Sequence, residues 1–311
     1  MSPGEPAYIA TFKCGLLKKK IQQAGKILKD CNLCPRACRV DRVAGRTGIC
    51  KTARNAWVSS FNAHFGEEAP LVGNRGSGTI FFTHCNLLCI FCQNYDISHQ
   101  GVGREVSPAR LAEIMLTLQN SGCHNINLVT PSHVVPQFLA ALDLAIKADL
   151  KLPIVYNSSA YDNLATLRLL DGVIDIYMPD FKFWHSDFAE LTCNAPDYPK
   201  VARRALREMH RQVGDLVVDK NGIAFRGLLV RHLVMPGRLD ETRAIMRFLA
   251  REISENTYVN VMPQYRPCGR AFDIRTISAP LSADEYESAL QAAREEGLTR
   301  LDNPRRVFRI W

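Results

Sequence analysis

The sequence predicts an α/β fold, a partial (β/α)6 parallel barrel with a cysteine-rich N-terminal extension. From residue 76 onward, six short apolar runs alternate with amphipathic helical patterns, which is typical of parallel βαβ units. Before residue 76, four of the eleven cysteines fall between positions 31 and 50, in a stretch that is prone to form loops. We therefore divide the chain into an extension, residues 1–75, and a barrel domain, residues 76–311.

The elements follow from the pattern in chain order. Residues 15–30, "GLLKKKIQQAGKILKD", predict an amphipathic surface helix, and loops follow to about residue 75. Ser107 and Pro108 predict the cap and first position of the first barrel helix, and "DKNG" (219–222) predicts a tight turn before the fifth strand. The six predicted strands are "GTIFFTH" (78–84), "NINLVT" (125–130), "LPIVYN" (152–157), "VIDIYMP" (173–179), "GLLVRHLVM" (227–235) and "TYVNVMP" (257–263).

The composition, 47% hydrophobic and 23% charged, is ordinary for a soluble globular protein. No stretch approaches the ~18 apolar residues that a membrane span requires, and the first residues lack a secretion signal, so we expect a cytoplasmic protein. The net charge of +8 is dispersed over "LLKKK", residues 202–211 and the terminal "PRRVFR", which argues against a nucleic-acid-binding patch. Cysteines in that compartment stay reduced, which favours metal ligation over disulfides.

Three cysteines follow the first predicted strand of the barrel. Cys85, Cys89 and Cys92 have the spacing C-x3-C-x2-C, and ligands of parallel α/β proteins gather at the carboxyl ends of strands. A closed zinc site or a ferredoxin cluster calls for four ligands. Three thiolates on a [4Fe-4S] cluster would leave one iron free to bind a substrate or cofactor. The triplet is therefore the predicted centre of the chemistry.

The triplet, with Phe91 as its aromatic position, resembles the signature of the radical S-adenosylmethionine superfamily. The resemblance implies a [4Fe-4S] cluster whose open iron chelates S-adenosylmethionine. Reduction of the cluster, by an electron donor such as flavodoxin or ferredoxin, then yields a 5′-deoxyadenosyl radical that takes a hydrogen atom from the substrate. It also implies that Phe91 lies beside the cofactor.

Other segments resemble the branch that contains the pyruvate formate-lyase activating enzymes. They are "CQNYDIS", "YMPDFK", "VRHLVMPG" and "VMPQYRP". The resemblance implies that Asp180 and Lys182 contact the bound cofactor, although a structural ion pair is the alternative. The chain departs from the expected pattern in three places. "LVTPSHVVP" replaces the Gly-Gly-Glu segment typical of the superfamily, "VYNSSAYD" lacks the acidic residue that the activating enzymes carry at the strand end, and "HFGEEAP" and "GNRGSG" before the first strand do not match that branch. This pattern is similar to that of an activase-like family with no settled substrate.

A second cysteine group precedes the barrel. Its members have the spacing C-x2-C-x3-C-x11-C and suit either a zinc site or a second iron-sulfur cluster: Cys31, Cys34, Cys38 and Cys50. The remaining four cysteines are interpreted as ordinary buried or loop residues: Cys14, Cys123, Cys193 and Cys268. In the same way, His64, Glu67 and Glu68 are interpreted as part of a solvated or hydrogen-bonded loop, with contact to the substrate as the alternative.

The favoured function is radical generation on a protein substrate of the glycyl radical type. Radical modification of a small molecule is the alternative among enzymes. Two alternatives from other functional classes remain: an iron-sulfur electron carrier, and a basic zinc module that binds nucleic acid. Release of 5′-deoxyadenosine after anaerobic reduction separates an enzyme from a carrier, and a strongly salt-dependent affinity for nucleic acid would favour the module.

Overall fold

The structure, a computed structural model, describes residues 4–302. The basic "PRRVFR" segment, residues 304–309, lies outside the described residues. The strands are β1 (Ala56–His64), β2 (Ser77–Phe82), β3 (Arg104–Val106), β4 (Ile126–Val129), β5 (Ile154–Ser158), β6 (Ile176–Pro179), β7 (Val217–Val218), β8 (Ala224–Leu233) and β9 (Tyr258–Met262). The helices are α1 (Ala7–Lys13), α2 (Leu16–Ile27), α3 (Ala69–Val72), α4 (Pro108–Asn120), α5 (Val135–Lys147), α6 (Leu164–Leu169), α7 (Ser186–Cys193), α8 (Tyr198–Val213), α9 (Leu239–Phe248) and α10 (Ala283–Glu295).

The six predicted strands are present as β2, β4, β5, β6, β8 and β9, and each pairs with the next in parallel. The sheet is not closed, since β9 pairs with β8 at one side and the antiparallel strands β1 and β3 extend the other side beyond β2. The α/β fold and the partial parallel barrel are confirmed. They bring the carboxyl ends of the six strands to one mouth.

Local predictions also hold where the chemistry is simple. The Ser107 hydroxyl accepts a hydrogen bond from the Arg110 backbone N–H at 3.1 Å and caps α4, in which Pro108 is the first residue. The predicted turn joins β7 to β8, with Gly222 at a φ of +78°. A left-handed backbone of this kind favours glycine. The predicted surface helix is α2.

The prediction of loops from residue 31 to about residue 75 was wrong in part, because β1 is a nine-residue strand that pairs with β2. The segment after β1 continues into α3, whose Leu71 packs inside the barrel against Val155, Met178 and Leu229. These apolar side chains fill the interior, while polar side chains line the mouth above them. The division of the chain at residue 75 stays a prediction.

No helix within residues 4–302 is long and apolar enough to cross a membrane.

Candidate active site and metal centres

The three predicted cluster cysteines lie together at the mouth of the barrel. Cys85, Cys89 and Cys92 line a cavity of about 230 Å³, as do the predicted cofactor residues Phe91, Asp180 and Lys182. The cavity is also lined by residues within or just after the carboxyl ends of the other parallel strands: Thr130, Asn157, Ser158, Ser159, Arg231, Leu233, Met262 and Gln264. The cavity therefore lies at the strand ends, where the rule for parallel α/β proteins expects ligands.

The three-cysteine loop, residues 85–92, is a tight and strained turn. His84, just before it, has a φ of +72°, and Leu88 within it has a φ of +57°. Residues other than glycine rarely adopt such positive φ values. The Leu87 backbone N–H points to Cys85 Sγ at 3.3 Å, and the Cys92 N–H donates to the Cys89 carbonyl at 3.1 Å. Surrounding contacts must hold the turn, since such conformations persist only where neighbours determine them.

The thiol donors fit a bound cationic cluster. Burial, together with the adjacent Cys89 and Cys92 thiols, raises the pKa of Cys85 to about 12. Grouped, buried thiols therefore stay neutral unless a positive charge converts them to thiolates. An iron-sulfur cluster supplies that charge and uses thiolates as its ligands.

Asp180 and Lys182 form a buried charge network with Arg231. One Asp180 carboxylate oxygen accepts from Lys182 Nζ at 2.6 Å and the other from Arg231 Nε at 2.6 Å. Arg231 also donates to the Asn157 side-chain oxygen at 3.0 Å. Burial opposes ionisation of Asp180, but the charges of Arg231 and Lys182 lower its pKa to about 2. Asp180 and Lys182 form an ion pair and also line the cavity. A structural ion pair and a contact with the cofactor, the two interpretations of these residues, therefore do not exclude one another.

Phe91 is fixed by aromatic neighbours. Its ring meets those of Phe183 and Tyr265 edge-on at centroid distances of 6.0 and 5.9 Å. This contact orients the loop between Cys89 and Cys92, while one side of Phe91 lines the cavity.

Of the two forms expected for the segment of His64, Glu67 and Glu68, the structure shows the hydrogen-bonded one, because the two glutamates are buried under the mouth and have polar partners. Their side chains are 7% and 2% exposed. Glu68 accepts a hydrogen bond from Asn260 at 2.8 Å, and His64 Nδ1 lies 3.1 Å from Glu67. Burial raises the pKa of Glu68 to about 7, against the opposing charge of Arg231. The sequence motif "HFGEEAP" shows no sign of the partners that bury it.

The segment that replaces Gly-Gly-Glu places Thr130 at the cavity, with a φ of +62°. The Thr130 backbone N–H donates to the Asn157 carbonyl at 2.8 Å, which links the ends of β4 and β5. At the end of β5 the cavity is lined by neutral side chains, Asn157, Ser158 and Ser159, in agreement with the absence of an acidic residue from "VYNSSAYD".

The four cysteines of the extension enclose a small space of their own. Cys31, Cys34, Cys38 and Cys50 line it together with the buried Arg42. Burial, together with smaller contributions from the other three thiols, raises the pKa of Cys34 to about 12. Arg42 lowers the pKa of Cys50, whose net shift is upward because of burial. This donor set suits either predicted metal.

One buried donor atom beside this group lacks a partner among the described residues. Arg42 Nε donates to the Ala53 carbonyl at 3.0 Å and Nη1 to the His133 carbonyl at 2.8 Å, but Nη2 has no hydrogen bond. Within residues 4–302, no three His, Cys, Asp or Glu side chains are arranged to hold a single metal ion.

Cys193, interpreted as an ordinary cysteine, contacts the predicted cluster ligand Cys89, whose pKa is raised first by a hydrogen bond between the two thiols and then by burial. No sequence signal reveals this contact, because the two residues are far apart in the chain. Arg231 was also missed, although a charged residue inside the apolar run "GLLVRHLVM" is such a signal.

The fold and the site are those of a radical S-adenosylmethionine enzyme, and the family comparison agrees. Residues 79–249 match the model of the Radical SAM superfamily. The chain is 33% identical over 294 residues to an uncharacterized protein of Methanocaldococcus jannaschii, covering 92% of this chain and 80% of that protein. The protein therefore belongs to the Radical SAM superfamily, whose members use a [4Fe-4S] cluster and S-adenosylmethionine.

Solved structures with a similar arrangement include Streptococcus suis SuiB bound to S-adenosylmethionine, with a TM-score of 0.48 and 10% identity over 71% of this chain and 47% of that chain. A second is anSMEcpe with bound AdoMet, with a TM-score of 0.47 and 12% identity over 68% of this chain and 57% of that one. The chain thus spans about half the length of these structures.

Proposed function

We propose that this protein is an activase-like oxidoreductase that generates a radical on a protein substrate. The observation that carries the proposal is the convergence of Cys85, Cys89 and Cys92 on one cavity with the Asp180–Lys182 pair. In this proposal the three thiolates hold a [4Fe-4S] cluster. When bound, the reduced cluster supplies the electron that cleaves S-adenosylmethionine to a 5′-deoxyadenosyl radical, which abstracts hydrogen from the substrate.

The residues of the chain itself would bind the cofactor and orient it in the cavity. The Lys182 ammonium and Arg231 guanidinium present positive charge at the mouth, and Asp180 fixes both. Phe91 offers an apolar surface beside the cysteines, and Thr130, Asn157 and Ser158 offer hydrogen-bonding groups at the ends of the neighbouring strands β4 and β5. Such a mixture of apolar surface and few polar groups is typical of a cofactor pocket.

The size of the cavity supports a protein substrate. At about 230 Å³ it is smaller than the roughly 300–1,000 Å³ of most ligand pockets. With the cofactor in a cavity of this size, the reacting hydrogen would be presented from the open side, as a peptide loop could do. The alternative, a small polar substrate, is supported by the charged floor that Arg231, Glu67 and Glu68 form below the cavity.

The electron would come from flavodoxin or ferredoxin in the cytoplasm, where thiols remain reduced. The four cysteines of the extension would hold a second metal, either a [4Fe-4S] cluster or zinc, with a structural or electron-relaying role. Four ligands leave no open coordination position for S-adenosylmethionine.

The cysteine assignment is tested with Cys85→Ala after anaerobic reconstitution and reduction. We expect 5′-deoxyadenosine release to fall to background, because two thiolates cannot retain the cluster. Cys14→Ala, which removes an exposed thiol that does not line the cavity, is the matched control and should behave as the parent. Release at the parent rate by Cys85→Ala would refute the assignment.

The substrate class is tested with a cell extract separated by ultrafiltration. We expect the macromolecular fraction to raise 5′-deoxyadenosine release and to acquire a paramagnetic signal that survives removal of the enzyme. Stimulation by the small-molecule fraction alone would overturn the protein-substrate proposal and favour the alternative.

A further inference from the structure

Arg36, between two cysteines of the extension, contacts the backbone of the three-cysteine loop. Its Nε donates to the Asn86 carbonyl at 3.0 Å, and Nη2 donates to the Leu87 carbonyl at 3.2 Å. On the other side, Nη2 donates to the Cys193 carbonyl at 2.7 Å and Nη1 to the Asn194 carbonyl. One guanidinium therefore joins the three-cysteine loop to the end of α7.

The hydrogen-bonded carbonyls lie where the loop needs support. The Leu87 carbonyl belongs to the peptide that leads into Leu88, the residue with a φ of +57°. The Ile90 N–H donates to the Thr192 carbonyl at 3.0 Å, so the loop is already docked on the end of α7. Arg36 reinforces that docking from outside the barrel and orients the strained peptide.

Arg36 is itself held by its place in the four-cysteine segment, residues 31–50. It lies between Cys34 and Cys38, and its guanidinium stacks over the Tyr161 ring at 5.3 Å. A metal bound by the four thiols would fix both chain positions that flank Arg36. Arginine suits this task because its planar group carries five donors in a rigid fork, which lysine lacks.

We propose that Arg36 is a positioning residue that couples metal binding in the four-cysteine segment to the geometry of the three-cysteine loop. The inference rests on the proposed metal sites. With metal in the extension, the fork holds the Asn86 and Leu87 carbonyls and keeps the three thiols aimed at the cavity. Without that metal, the Arg36 guanidinium is no longer held in a fixed position relative to the three-cysteine loop.

The test measures the three-cysteine loop directly in the reconstituted, full-length protein. Arg36→Ala is compared with Arg39→Ala, which removes an exposed arginine of the same segment that pairs with Asp30. We expect hydrogen exchange in peptides spanning residues 85–92 to accelerate by about tenfold or more in Arg36→Ala only. Adding S-adenosylmethionine should change the electron paramagnetic resonance spectrum, and Arg36→Ala should require about tenfold more S-adenosylmethionine than the parent for the same change.

Arg36→Lys is the second variant in case Arg36→Ala does not fold. It keeps the charge but reaches fewer carbonyls, so its exchange rate and cofactor requirement should lie between those of the parent and Arg36→Ala. Parent values in Arg36→Lys would overturn the argument from the guanidinium fork.

Coupling to the metal is tested with Cys38→Ser. This variant should lose the extension's metal and accelerate exchange in residues 85–92, and adding Arg36→Ala should have little further effect. Metal loss without faster exchange would overturn the coupling. Failure of this inference remains distinguishable from failure of the proposed function, because Cys85→Ala tests S-adenosylmethionine cleavage independently of Arg36.

Discussion

The charged side chains at the barrel mouth differ in how many buried charges their removal would leave without a partner. A buried charge is costly unless it is paired, and Asp180 has two cationic partners. Removal of Arg231 would also take away the guanidinium that lies 3.7 Å from Glu67 and 3.9 Å from Glu68. Removal of Lys182 leaves Asp180 paired with Arg231, so Lys182 is the side chain whose role can be tested with the least structural damage.

Lys182→Ala should weaken S-adenosylmethionine binding by about 10- to 100-fold, because it removes a cavity-lining charge and no thiol. The measurement is equilibrium binding to the reconstituted protein, with iron and sulfide content measured in parallel and expected to stay at the parent level. Lys147→Ala, which removes an exposed lysine paired with Asp143, is the control. Unchanged affinity in Lys182→Ala would return the pair to a purely structural role.

At the scale of elements, the strands and the site that could be predicted are those with a local signal in the sequence. The parallel strands are buried on both faces and therefore stand out as apolar runs, whereas β1 has an alternating, partly exposed pattern, "AWVSSFNAH", and was missed. The burial of Glu68 could not be predicted, since its partners Asn260 and Arg231 are distant in the chain. The three cysteines were predictable as a site because both their spacing and their place after a strand are local.

The buried segment between β1 and α3 should make stability depend on pH through Glu68. Its pKa of about 7 exceeds its ordinary value of 4.5, so the folded state binds the extra proton. The stabilisation is fully present below about pH 4.5 and is lost as pH rises through about 7. Glu68→Gln should match the parent near pH 5 and be more stable at pH 8, by about 1–3 kcal/mol.

This difference is measured by thermal unfolding of both proteins across that pH range under anaerobic conditions. Subtracting the parent curve removes contributions from other buried groups, such as Asp175, whose pKa burial raises to about 6. Glu113→Gln changes an exposed glutamate of α4 and should show no such pH-dependent difference. A constant difference between Glu68→Gln and the parent from pH 5 to 8 would contradict the prediction.

At the scale of the whole molecule, the extension is attached to the barrel by hydrogen bonds from barrel side chains to its backbone. Thr166 donates to the Leu33 carbonyl at 2.7 Å, Asn163 to the Asn32 carbonyl at 3.0 Å, and Gln137 to the Arg54 carbonyl at 2.6 Å. The four-cysteine segment is therefore docked on the rest of the protein. A metal that fixes its fold would stabilise this docked arrangement as well.

We expect the extension to bind metal independently of the three-cysteine loop. In a variant that lacks Cys85, Cys89 and Cys92, about four irons with sulfide would identify a second cluster, and one zinc without sulfide would identify a structural site. Either metal should raise the unfolding temperature, because it ties together a loop-rich segment that is docked on the barrel. Further replacement of Cys38 by Ser should remove the metal and that stabilisation. A triple variant that binds no metal would refute the second site.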